Sequence, residues 1–401
     1  MTPLLPVRGV RLAAVAAGIK QAQRADLVLM ELAETAATAA VFTRNAFCAA
    51  PVSLAKDHLQ KDDTQVRYLL INAGNANAGT GAGGLEDARR TTQAVAEIAS
   101  CRAESVLPFS TGVIGEALPV DKIEAALPEA FDALDAEAWQ DAAAGIMTTD
   151  TRPKGCSRTF VVDGEEYVIT GIAKGAGMVK PNMATMLAYI ATDMAVEESL
   201  LQHILSEAVE KSFNRITVDG DTSTNDACVL IATGMADADP LTAEQTGRRQ
   251  QFQHVVEEIC IHLAQSLVRD GEGASKFVTV AVNGGLENLE CLDVAYTIAH
   301  SPLVKTALFA SDPNWGRLLA AIGRSGIRDL DVDLIDLYLN DVLIAAKGAR
   351  APQYSEDQGI AAMAPEEITI RVELNRGPYS ATVWTTDLSY NYVKINAEYR
   401  T

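Results

Sequence analysis

The chain has 401 residues, of which 48% are hydrophobic and 5% aromatic, and its formal net charge is −20. That length suits one large or two ordinary domains around an alanine- and leucine-rich core, which excludes a disordered chain. The negative balance excludes the phosphate backbone of nucleic acid and an anionic membrane surface as partners. In chain order, Arg8 and Arg11 before the apolar residues 12–19 imitate a signal peptide faintly. Gly18 and Lys20 cut that run at minimum length, so a first strand is expected there instead. Strands are expected at 26–32, 37–43 and 67–72, and helices at 85–100 and 136–147. Asp163-Gly164 lies between the β-rich runs 159–162 and 167–172, a strong hairpin signal that delivers Lys174 to a glycine loop.

Residues 186–191 form a short apolar run expected as a buried strand. Beyond it, Leu200, Leu201, Ile204, Leu205, Ala208 and Val209 recur with the helical period in 196–212, and 252–267 repeats the pattern. The polar loop 219–226 and the strand 227–233 lie between these two helices. Hairpins are expected around Asn340-Asp341 and around Asn375-Arg-Gly377, giving the last third the character of a separate strand-rich α/β unit. No stretch approaches the roughly 20 apolar residues of a membrane span. The six cysteines are far apart, with no Cys-x-x-Cys pair, which points to reduced thiols and a cytoplasmic setting. The five histidines are equally scattered. His254 and His262 share one expected helix but stand eight residues apart, so no metal site is expected.

The most informative stretch runs from Gly171 to Asp193. Gly175, Gly177 and Pro181 allow a sharply bent loop, and the expected strand holds Thr185 at its head. A threonine hydroxyl is a poor nucleophile, but an amino-terminal threonine carries its own base in its free amine. Breaking the Ala184-Thr185 bond would make that arrangement. The break is an N-to-O acyl shift, uphill unless strain and oxyanion donors assist. Spacing alone favours an ordinary strand threonine after a loop.

Lys174-Gly-Ala-Gly-Met178 through Ala184-Thr185-Met-Leu187 resembles the self-cleavage segment of the glutamate N-acetyltransferases, also called ornithine acetyltransferases, of arginine biosynthesis. The likeness extends to Ala40-Val-Phe-Thr-Arg-Asn45, Asn72-Ala-Gly-Asn-Ala-Asn77, Ser110-Thr-Gly-Val-Ile-Gly115 and Met147-Thr-Thr-Asp-Thr151. It continues through Thr217-Val-Asp-Gly-Asp-Thr-Ser-Thr-Asn-Asp226, Gly271-Glu-Gly-Ala-Ser-Lys276, Ser311-Asp-Pro-Asn-Trp-Gly-Arg317 and Asn396-Ala-Glu-Tyr-Arg-Thr401. These segments span essentially the whole chain in family order.

The resemblance implies an α/β fold: a layered N-terminal-nucleophile-like sandwich with a second, smaller strand-rich α/β domain at the carboxyl end. The expected division is 1–184 as an alpha fragment that starts the catalytic domain, 185–280 as the part of the beta fragment that completes it, and 281–401 as the last domain. It also implies ping-pong acetyl transfer from N-acetylornithine to glutamate through acetyl-Thr185, in an assembly of two alpha and two beta fragments. Thr111 and Gly112 match the oxyanion hole. Thr148, Lys174, Thr185, Glu272, Asn396 and Thr401 match substrate contacts, and Glu272 is the carboxylate for the substrate's amino group. No cofactor is expected; acetyl-CoA is a co-substrate only if the chain is bifunctional.

Other readings stay open on the residues themselves. A related amidohydrolase or aminopeptidase would use the same cut threonine with water as acceptor, and a noncatalytic binding protein could keep the fold. Gly79-Thr-Gly81-Ala-Gly-Gly84 satisfies the dinucleotide-binding spacing after a strand and before a helix, but residues 73–78 intervene where the glycines should follow tightly.

Overall fold

The computed structural model describes residues 3–19, 23–61, 65–180, 186–236 and 238–398. These pack as two units, one from residues 1–214 and 221–267 and the other from 215–220 and 268–401.

In the first unit, β1 (Val10–Val15), β2 (Leu27–Leu32), β3 (Ala37–Phe42), α1 (Ala50–Leu59), β4 (Tyr68–Asn75), α2 (Gly81–Ala99) and β5 (Val106–Val113) come first. They are followed by α3 (Val120–Asp132), α4 (Trp139–Gly145), β6 (Lys154–Val162), β7 (Glu165–Lys174), β8 (Leu187–Thr192), α5 (Glu198–Lys211), β9 (Ala227–Ala232) and α6 (Thr246–Arg269). One sheet has the order β1-β2-β4-β5 and the other β3-β9-β8-β7-β6. Side chains alternate between the faces of each strand. Val28, Met30, Leu69, Ile71, Leu107 and Phe109 of the first sheet thus meet Ile172, Leu187, Tyr189, Ala191, Val229 and Ile231 of the second in one buried core. The opposite face of the first sheet, with Leu27, Leu29, Tyr68 and Leu70, is covered by Val95 of α2 and Ile123 and Leu127 of α3. On the far side of the second sheet α5 packs on β3 and β9, and Ile259 and Leu263 of α6 crowd Gly171 of β7. The result is a helix, sheet, sheet, helix sandwich, the layering expected from the family likeness.

The expected hairpin is present. Asp163 at φ 51° and Gly164 at φ 89° make the two-residue turn between β6 and β7, the primed geometry that matches strand twist. β8 is buried along its whole length because it is an interior strand, antiparallel to β7 and parallel to β9. Such strands read as continuous apolar runs.

The second unit contains β10 (Phe277–Gly285), α7 (Asn288–Ala299), α8 (Pro302–Phe309), α9 (Trp315–Gly323), β11 (Asp336–Leu339), β12 (Val342–Ala346), β13 (Ala349–Arg350), α10 (Glu356–Met363), β14 (Glu367–Glu373), β15 (Tyr379–Thr386) and α11 (Tyr390–Ala397). Its sheet order is β13-β12-β11-β14-β10-β15, and apolar residues of α7, α8, α9 and α10 complete its core. Asn340-Asp341 does turn β11 into β12. The second expected hairpin does not form, because β10 lies between β14 and β15, parallel to one and antiparallel to the other. The Asn375–Gly377 segment therefore passes over the end of β10, where a side chain at Gly377 would meet the Gly285 carbonyl oxygen at 2.3 Å. β10 lies wholly in the second unit, so the unit's border precedes it at residue 268, whereas a border at 280 would divide that strand.

Candidate active site

The parallel strands β4 and β5 end side by side, with Ala73 opposite Thr111 and Gly74 opposite Gly112. Gly112 has φ 134°, and a Cβ there would lie 2.2 Å from the Gly74 carbonyl carbon. Only glycine allows the two backbones to approach so closely. Thr111 is buried. Just before it, the Ser110 hydroxyl donates to Asn72 Oδ1 at 2.6 Å, and the Asn72 amide donates to the Asn75 carbonyl at 2.8 Å. Asn225 then donates from its amide to the carbonyls of Ala76 at 2.6 Å and Ser110 at 2.9 Å. This polar web is buried and closed on itself, which fixes the backbone on either side of Thr111.

The Gly79–Gly84 segment has a structural use. Asn77 donates from its amide to the Gly84 carbonyl at 2.8 Å, and the Thr80 hydroxyl donates to Asn77 Oδ1 at 2.8 Å. These side chains occupy the start of α2 where a dinucleotide pyrophosphate would need open backbone.

Lys174, the last residue of β7, is buried, and its Nζ donates to the Thr148 hydroxyl at 3.4 Å. Asp150 ties this pair together. Its carboxylate accepts from the Thr148 N–H at 3.0 Å, the Gly175 N–H at 2.7 Å and the Lys154 ammonium. Burial opposes the charge on Asp150, but Lys154 first and Lys174 second outweigh it and hold the carboxyl below its usual range. Two of the residues singled out from sequence, Thr148 and Lys174, are thus brought together by two that were not, Asp150 and Lys154.

Asp226 is a further buried acid of this unit. Its Oδ1 accepts the Met186 N–H at 2.8 Å, and the Ala227 N–H donates to the Met186 carbonyl at 3.1 Å, so the head of β8 is pinned to the start of β9. Burial pushes the Asp226 carboxyl well above the usual carboxylate range, against the smaller opposing influence of the Met186 N–H, Lys174 and the Ser223 hydroxyl. Ala184 and Thr185, the expected cleavage pair, lie outside the described residues.

In the second unit, Glu272 is buried and its Oε2 accepts from the Asn396 amide of α11 at 2.8 Å. Ser389, the cap of α11, accepts the Tyr392 N–H and donates to the Gly273 carbonyl at 2.6 Å, holding the helix to the turn that carries Glu272. Asp387 accepts the N–H groups of Ser275 at 2.8 Å and Lys276 at 3.0 Å. Lys305 is fully buried against Thr385 and Thr386, and burial pushes its ammonium down to about 8, with Asp387 and Asp219 acting the other way. Glu272 and Asn396 are therefore brought together. Thr401 lies outside the described residues.

The ArgJ family profile matches residues 11–401. The chain is 60% identical over 398 residues to the arginine biosynthesis bifunctional protein ArgJ of Pseudomonas syringae pv. tomato, covering 99% of this chain and 98% of that protein. The protein of the same name from Pseudomonas fluorescens is likewise 60% identical over 398 residues, with the same coverage. A solved structure of the arginine biosynthesis bifunctional protein from Bacillus halodurans is 38% identical, covers 51% of this chain and 96% of that one, and superposes with a TM-score of 0.49. With a profile match over nearly the whole sequence and relatives at this identity, the chain belongs to the ArgJ family of arginine-biosynthesis enzymes.

Proposed function

We propose that this enzyme cuts itself between Ala184 and Thr185 and that Thr185 then carries an acetyl group from N-acetylornithine to glutamate. The free α-amine of Thr185 takes the hydroxyl proton as the oxygen attacks the amide carbonyl, and ornithine leaves from an acetyl-threonine ester. Glutamate attacks that ester and departs as N-acetylglutamate, restoring the threonine. Thr111 and Gly112 are the oxyanion donors, a role that is worth about 3–4 kcal/mol per donor in comparable sites. Lys174 and Thr148 contact the substrate beside the nucleophile, and Glu272, held by Asn396, takes the substrate's amino group. Thr401 is assigned a further substrate contact by family likeness.

One observation supports this reading above the rest. The adjacent residues Asn225 and Asp226 hold, respectively, the Ser110 carbonyl beside Thr111 and the Met186 N–H beside Thr185. Two consecutive side chains thus set the spacing between the proposed oxyanion donors and the proposed nucleophile's strand. The word "bifunctional" in the relatives' names supports acetyl-CoA as a second acetyl donor to glutamate. We also propose that the fragments stay together as two alpha and two beta chains in the cytoplasm.

Thr185→Ala tests the proposal. The expected result is one intact chain of 42.7 kDa under denaturing conditions, with no acetyl exchange between N-acetylornithine and glutamate. Acetyl exchange at the wild-type rate by an uncut Thr185→Ala chain would refute it. Running the wild type with acetyl-CoA and glutamate alone separates the bifunctional from the monofunctional reading.

A further inference from the structure

Among the buried aspartates of the first unit, Asp26, Asp150, Asp193 and Asp226, Asp150 and Asp226 are provided for in opposite ways. Asp150 receives three donors, two backbone N–H groups and the Lys154 ammonium. Asp226, at 1% exposure, receives one backbone N–H, and the Ser223 hydroxyl acts on it more weakly. Its Oδ1 takes the Met186 N–H at 2.8 Å, while its Oδ2 has no hydrogen-bond partner among the described residues. A buried carboxylate with so few donors carries a heavy desolvation cost, which a neutral acid avoids.

Position makes this difference consequential. Asp226 immediately precedes β9, whose first residue Ala227 is in register with Leu187; Leu187 in turn is in register with Lys174. The groups that act on the Asp226 carboxyl are the Met186 N–H from β8, Lys174 from β7 and the Ser223 hydroxyl from the loop before β9. Behind Lys174 stands Asp150, already neutralised by Lys154. An ionised Asp226 would add a second anion to the surroundings of the Lys174 ammonium and compete with substrate for it. Two carboxyl groups whose surroundings drive them to opposite protonation states mark a division of labour.

We propose that Asp226 is a positioning residue that works as an uncharged acid, fixing the strand next to Thr185 through Oδ1 while withholding a negative charge from Lys174. This rests on the acetyl-transfer reading of the site. Asp226 does not exchange protons with substrate in this scheme; its neutrality preserves the electrostatic demand of Lys174 for an anionic or carbonyl oxygen of the substrate.

The test pairs Asp226→Asn with infrared spectroscopy of the wild-type enzyme carrying isotope-labelled aspartate carboxyl groups. Asparagine is a permanently neutral isostere that keeps the acceptor for Met186. The wild type at neutral pH should show the carbonyl stretch of a protonated carboxylic acid, and the variant should lack it. The variant should also be cut and should keep KM for N-acetylornithine within about threefold of wild type. A wild-type spectrum without the acid band would overturn the proposal whether or not the variant folds. So would an Asp226→Asn enzyme that is cut but whose KM rises by about tenfold or more, since a neutral isostere then fails to replace the native group. A wild type that shows the band yet transfers no acetyl group would sink the acetyl-transfer reading and, separately, leave the protonation state established.

Discussion

Replacing Lys154 with Met isolates the electrostatics of its buried pair with Asp150. The two side chains are 1% and 0% exposed, so the substitution leaves a carboxylate in the interior with only the Thr148 and Gly175 N–H groups as donors among the described residues and Lys174 as a nearby cation. Breaking a buried ion pair from one side costs about 3–5 kcal/mol, and the two surviving donors place this case at the lower end, about 3 kcal/mol. At about 2–4 °C per kcal/mol for a unit of this size, Tm should fall by about 6–12 °C. The pH dependence gives a second signature. In the wild type the Asp150 carboxyl is held below its usual range. Its stabilising contribution is therefore complete above the unfolded pKa of about 3.9 and is lost as pH falls through the lower folded value. Without Lys154, burial is opposed only by Lys174 and the Gly175 N–H among the influences on this group, and the carboxyl should rise. Acidification then protonates it and relieves the strain, so the deficit against wild type should shrink from pH 7 toward pH 5. Adding Asp150→Asn to the Lys154→Met chain should recover most of the loss, because removing both charges is far milder than removing one. Thermal melts followed by circular dichroism measure all three. A deficit under about 1 °C at pH 7, or one that stays constant with pH, would refute the reasoning.

Two further outcomes follow from the same contacts. Asn225→Ala strips partners from the buried carbonyls of Ala76 and Ser110 and should cost about 2–4 kcal/mol by chemical denaturation; in any protein that folds, acetyl transfer should fall through kcat more than KM. Lys305 has a folded pKa of about 8 against an unfolded value of about 10.4. Between those values the unfolded chain binds the extra proton, so stability from this group should rise by about 3 kcal/mol as pH increases through the window. Lys305→Met should abolish that rise, as urea midpoints at either end of the range would show.

What could be read from the residues was what is local in the chain. The Asp163-Gly164 turn, the helical period of α5 and the apolar run of β8 each announce themselves within about ten residues. The Asn375–Gly377 turn misleads for the same reason, since nothing nearby reveals that β10, about ninety residues earlier, separates its flanking strands. α3 went unassigned, and it carries Pro128 within the helix. Among the site residues, Thr148, Lys174, Glu272 and Asn396 were named through family likeness, and the structure joins them in two pairs. Asp150, Lys154, Asn225 and Asp226 were not named, although three of them sit inside quoted motifs. Charged and amide side chains look like solvated surface in a sequence. Their burial is decided by contacts such as Asn225 to Ser110, which depend on strand order rather than spacing.

The interior place of β8 has a consequence for the proposed cut between Ala184 and Thr185. Once that bond is broken, β7 from one piece and β9 from the other would clasp β8 on both edges, and neither polypeptide could depart without tearing the sheet. Unfolding such a protein would turn a unimolecular event into one with two products. Recovery would then depend on dilution, and the mature enzyme would owe its persistence to the slowness of that parting.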